Sequence, residues 1–150
     1  MARAFRLQVL LDLAQRHIDA ATIELQRLRQ QLSEAQDKRD QLAAYQTEYA
    51  TVLEVRLREG MAAHQVNDFR LFLDKLARAI EAQSAEVERR RAAWETGQAR
   101  WLSLRQRREA LNVLADRHDT SEAALASRRE QKEQDEFALK LGKGGSGSAS

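Results

Sequence analysis

His17, His64 and His118 are the side chains that metal or acid–base chemistry would recruit first. They are far apart in sequence, and no cysteine exists to complete a thiolate site. No HExxH and no glycine-rich phosphate loop occurs. Nothing sets a nucleophile beside a base. The 23 acidic residues are spread along the chain, where they suit solvated faces and i,i+4 ion pairs. The expectation is a non-enzyme with no cofactor, no metal and no small-molecule substrate. Binding chemistry is better represented. Both tyrosines fall in YQTEYA, residues 45–50, four positions apart in a chain with only 5% aromatics. That spacing puts two phenols on one helical face.

The elements that must carry those phenols are long helices. The chain has no proline, four of its six glycines fall after Leu141, and 32% of its residues are charged. Ala, Glu, Lys, Leu, Arg and Gln dominate, and these lose little rotamer freedom in a helix. Such a bias indicates a coiled coil. It supplies a narrow apolar seam but not a thick core. The absence of cysteine fits a reducing compartment. A net charge of +2 implies no whole-molecule attraction to nucleic acid or membrane. No apolar run approaches the roughly 20 residues of a membrane span. The start, MARAFRLQVLLDLAQR, has no acid before Asp12 and has the composition of a transit peptide. Its apolar pattern continues unbroken past Leu32, which favours the first turns of a long helix.

Two heptad series are present. In the first, Leu11, Ile18, Leu25, Leu32, Arg39, Gln46 and Leu53 take position a, and Ala14, Ala21, Leu28, Ala35, Leu42, Tyr49 and Arg56 take d. In the second, a runs from Val66 through Leu73, Ile80, Val87, Trp94, Trp101 and Arg108 to Ala115. Its d series runs from Phe69 through Leu76, Gln83, Arg90, Gly97, Leu104, Leu111 and His118 to Leu125. Between the series lies REGMAAHQVN, where Gly60 supplies the left-handed residue that ends a helix. The spacing predicts one helix over 3–58, a turn over 59–64 and a second helix over 65–138. A short connection makes them antiparallel neighbours. The expected fold is all-α: a long antiparallel two-helix coiled coil, about 80 Å and 110 Å per helix at 1.5 Å per residue. Residues beyond about 122 find no partner helix, so the C-terminal helix end overhangs. The segment 139–150, with its GKGGSGSAS end, is expected to be a flexible tail. The register sets Trp101 near Ala21 and Leu25, and Trp94 near Leu28 and Leu32, as large rings against smaller residues.

Tyr49 is a d residue, whereas Tyr45 falls at g, beside the seam. The neighbouring g residues are Val52 on the first helix and Phe72 and Ala79 on the second. Position g usually carries charge. A flank of Tyr45, Phe72, Val52 and Ala79 beside Leu42, Tyr49 and Leu76 is therefore an apolar patch with aromatic anchors, suited to a protein partner. Self-association into a larger bundle would also use it. The Arg-rich segment ERRRAAWETGQARWLSLRQRR, residues 88–108, is weighed as a nucleic-acid patch. Its tryptophans are committed to the seam and acids interrupt its charge, so no nucleic-acid partner is expected.

The motifs LLDLAQRHIDAA, AAYQTEYATVL, GMAAHQVNDFRLFLDKLARAIEAQ, RRAAWETGQARWLSLRQRREAL and EQKEQDEFA, at these mutual spacings, resemble the flagellar FliJ family of bacterial type III export. The resemblance covers residues 5–138. It implies a cytoplasmic coiled-coil protein, peripherally associated with the inner face of the membrane at the flagellar base and similar to the central stalk of rotary ATPases. The partners it implies are the flagellar export ATPase hexamer, the cytoplasmic domain of the export gate membrane protein, and export chaperones. Residues matching the family's gate-binding surface are Leu42, Tyr45, Tyr49, Phe72, Leu76 and Ala79. Lys38 and Gln83 depart from the family at the edge of that surface. The terminal element with Asp135, Glu136 and Phe137 is expected to contact the ATPase ring, near an end rich in arginine (Arg3, Arg6, Arg107, Arg108, Arg117, Arg128 and Arg129). The chain is expected to be monomeric. The alternatives are the stalk protein of a virulence-type secretion system and a generic self-associating scaffold.

Overall fold

The computed structural model describes residues 2–146, with side chains described for 2–143. Residues 147–150, the end of the expected tail, lie outside the described residues. Helix α1 spans Ala2–Glu59 and helix α2 spans Ala63–Ser146. The two helices pack against each other as an antiparallel hairpin, and no strand occurs among the described residues. Gly60 adopts φ 97°, the only positive value in the described backbone. That conformation strains any residue with a Cβ, so the chain turns there. The Ala62 carbonyl then accepts from the amides of Gln65 and Val66, at 3.0 and 3.2 Å, and opens α2. The connection is thus shorter than the expected 59–64. At the other end α2 continues to Ser146. Leu139, Lys140 and Leu141 are good helix formers, and no proline stops the helix there.

The chain divides into two compact units, one comprising Ile18–Ser103 and the other Met1–His17 with Leu104–Ser150. In the first, every expected seam position except Arg56 is buried or half-buried. Leu32 (1% exposed) and Val87 (0%) are the most deeply covered side chains, and with Ala35 they form a small core against which Trp94 packs. The heptad rule explains the placement: a and d residues point most directly at the opposing helix. Gly97 has a specific part in that packing. A Cβ on it would lie 2.7 Å from Leu28 Cδ1 and 3.4 Å from Leu25 Cδ1, so its missing side chain makes room for both leucines. Two polar seam residues are absorbed by bonds to the opposing helix. Gln83 Nε2 donates to the Ala35 carbonyl at 3.0 Å, and Arg90 Nη1 donates to Gln31 Oε1 at 3.0 Å.

In the second unit Ala14 is buried, and Leu7, Leu11, Leu104, Leu111, Ala115 and His118 are half-buried. Arg108 and Leu125, expected in the seam, are exposed. From Asp119 to Lys143 every residue of α2 is exposed. This is the overhang expected beyond residue 122, and it begins about where the opposing chain is used up.

Candidate partner-docking surface

Tyr49 anchors the aromatic cluster. It sits at d in the last turns of α1, half-buried against α2. Its ring centroid lies 4.6 Å from that of Phe72 and 6.2 Å from that of Phe69, both tilted contacts. Tyr45, one turn earlier on α1, lies 6.3 Å from Tyr49. Offset and tilted rings at such distances stabilise beyond simple area burial. Two helices therefore hold four rings in one continuous cluster. Tyr45 is 55% exposed and Phe72 is 39% exposed, and Val52 is exposed beside them. Leu42, Leu76 and Ala79 are half-buried. The structure thus gathers Tyr45, Tyr49 and Phe72 by direct contact and leaves two of the three rings open to a partner.

The surroundings keep this surface apolar. Arg56, the exposed exception in the seam, sets its guanidinium 5.5 Å from the Phe69 ring, a cation–π contact. It therefore caps the cluster at the side away from Tyr45. Gln83 spends its amide on the Ala35 carbonyl and so serves the seam, while Lys38 is exposed. Val55 and Leu71 are further exposed apolar residues toward this end of the hairpin. Their signal was available as apolar residues at outer heptad positions, but heptad reasoning searches the seam and its flanks.

The two tryptophans behave differently. Trp94 and Trp101 are half-buried. Trp101 Nε1 donates to Thr22 Oγ1 at 3.0 Å, and the Arg29 guanidinium lies 5.0 Å over the Trp94 ring. Their contact residues lie within one to three positions of those expected.

Asp135, Glu136 and Phe137 all lie on the exposed end of α2, where Phe137 is 64% exposed. His17 is exposed, and His118 is mostly covered with its Nδ1 shielded and without a hydrogen-bond partner among the described residues. No group of three or more His, Asp or Glu among the described residues is placed to hold a metal ion. Two carboxyls, Glu24 and Glu86, are held below the usual carboxylate range. For Glu24 the cause is the hydrogen bond from Arg27, and for Glu86 it is the bonds from Arg89 and then Arg90.

The sequence profile of the family described as "Flagellar FliJ protein" matches residues 3–145. A flagellar FliJ protein of Salmonella typhi is 28% identical over 138 residues, covering 92% of this chain and 94% of that protein. One from Escherichia coli (strain K12) is 26% identical over the same shares. No solved structure matches significantly. With a profile match over nearly its whole length, the chain belongs to the flagellar FliJ family and is a component of flagellar protein export.

Proposed function

We propose that this chain is the coupling stalk of the flagellar export apparatus, docking on the export gate with Leu42, Tyr45, Tyr49, Phe72, Leu76 and Ala79. The observation that carries the reading is the aromatic cluster: Tyr49 is fixed by Phe72 and Phe69, and it props Tyr45 and Phe72 open to solvent. Preorganised aromatic anchors of this kind supply most of the binding energy at protein interfaces. They also lose little rotamer freedom on binding, because Tyr49 already holds them.

The exposed end of α2, with Asp135, Glu136 and Phe137, supplies the contact with the export ATPase ring. Every residue of α2 from Asp119 to Lys143 is exposed, which leaves this length of helix open to a surrounding lumen. The arginines of this unit favour an acidic lining there. The work is done by binding energy alone. A stalk that binds the closed hexamer better than free subunits shifts assembly toward the ring by mass action. Export chaperones dock on the same protein in turn, at the cytoplasmic base of the flagellum.

Two measurements test this. One is ATP hydrolysis by the cognate export ATPase at sub-hexameric concentration, with and without the protein. Stimulation that disappears on removal of residues 122–150 is expected, and no stimulation and no co-sedimentation defeats the ring contact. The other is gate binding by the Phe72→Ala, Leu76→Ala double variant. Unchanged binding by a still-helical protein defeats the gate contact, and dissociation of a self-associated form instead assigns the cluster to a second copy.

A further inference from the structure

The outer face of α1's first turns carries an apolar strip that the seam does not use. Phe5, Val9 and Leu13 recur every four residues, at heptad positions b, f and c, which point away from an opposing helix. Phe5 is 72% exposed, and Val9, Leu10 and Leu13 are exposed with it. Leu7, Leu11 and Ala14 take the covered positions of the same turns. The strip is therefore surplus apolar surface on the side that a coiled coil ordinarily makes polar. Through Leu11 its charged neighbours are all basic. Arg3 and Arg6 lie among these residues, Arg16 follows one turn on, and no acid precedes Asp12, which accepts a hydrogen bond from Gln8 at 3.0 Å. Arg3 and Arg6 make no ion pair among the described residues.

We propose that this face lies on an anionic lipid surface. A helix with large apolar side chains flanked by arginine sits in the plane of the headgroups, its apolar strip at the acyl boundary. Phe5, Val9 and Leu13 would enter that boundary, while Arg3, Arg6 and Arg16 extend to lipid phosphates along their apolar stems. The strip is the convex back of a single helix. It offers no groove to hold one particular protein, and a fluid surface of negative charge needs none. No described helix is long and apolar enough to cross a membrane, so the contact is in-plane. One short face with three arginines gives weak, reversible attachment. This contact needs neither the gate nor the ring.

The test is co-sedimentation of the full chain with vesicles of phosphatidylcholine alone and of phosphatidylcholine with about one-third phosphatidylglycerol, at low salt and at about 0.5 M salt. Binding to the anionic vesicles only, lost at high salt, is expected. The Phe5→Ser, Val9→Ser variant should partition about tenfold less, and the Arg3→Glu, Arg6→Glu variant should lose binding. Ile23→Ser, which alters an exposed apolar residue farther along α1, should bind as the parent does. Because all these side chains are exposed, circular dichroism should show unchanged helicity. Failure to bind anionic vesicles at low salt overturns the proposal, as does binding that survives loss of Phe5 and Val9. A vesicle-free dimer that dissociates in the Phe5→Ser, Val9→Ser variant, with vesicle binding unchanged, overturns it in favour of a second copy.

Discussion

Two stretches of α2 are built from similar residues and live under different rules. Between Val66 and Trp101 the helix has an opposing partner, and its a and d residues are covered down to Val87 at full burial. Between Asp119 and Lys143 it has none, and Leu125, Phe137, Leu139 and Leu141 all remain exposed. The first stretch is held by tertiary packing, which supplies most helical stability in proteins. The second has only propensity and local pairs, each worth a few tenths of a kcal/mol. Composition alone therefore does not decide which helical residues are structural. Coverage decides it, and apolar residues left uncovered are available for a partner.

That contrast can be broken at its strongest point. Leu32→Ala opens a cavity against Val87 and should destabilise the protein by about 2–5 kcal/mol, measured by urea unfolding followed by circular dichroism. A loss under about 1 kcal/mol would mean that the small core does not hold the hairpin. Next in size, Gly60→Ala places a Cβ at φ 97° and should lower stability by about 1–2 kcal/mol in the same assay. In the uncovered stretch, Phe137→Ala should change stability by less than about 0.5 kcal/mol, since the side chain is exposed. A larger loss would show that this end packs on something in the free protein. The smallest effect is electrostatic. The carboxyl of Glu86 is held low by Arg89 and Arg90, so its contribution is present above the unfolded-state value of 4.5 and fades as pH falls through the lower folded value. Replacing it as Glu86→Gln should flatten that acid-side decline in helicity slightly, as expected for an exposed pair.

Much of this was legible because a coiled coil writes its fold in a period of seven. Tyr49, Leu32 and Val87 fell on a or d, and the structure covers them. Gly60 marked the turn because only glycine takes that φ without strain. Arg56, Arg108 and Leu125 show where the period misleads. They occupy seam positions that are not covered, since the heptad rule says where a residue points and not whether anything lies opposite. Gly97 was also illegible in its role, because the ragged later heptads hid that Leu25 and Leu28 need its empty space. At the docking surface, periodicity located Tyr45 and Phe72 on one flank. It could not show that Tyr49 touches both, which depends on the rotamers that bring the rings together.

The tight turn at Gly60 also bears on how fast the chain folds. Cross-helix contacts in the unit Ile18–Ser103 span 48 residues at Gln83–Ala35 and 79 at Trp101–Thr22. Closing the longer loop costs only about 0.4 kcal/mol more than closing the shorter, because closure entropy grows with the logarithm of length. Once the layers beside the turn have met, each further layer is a local step. Assembly should therefore zip outward from Gly60, so strain at that residue would slow folding as well as weaken the fold.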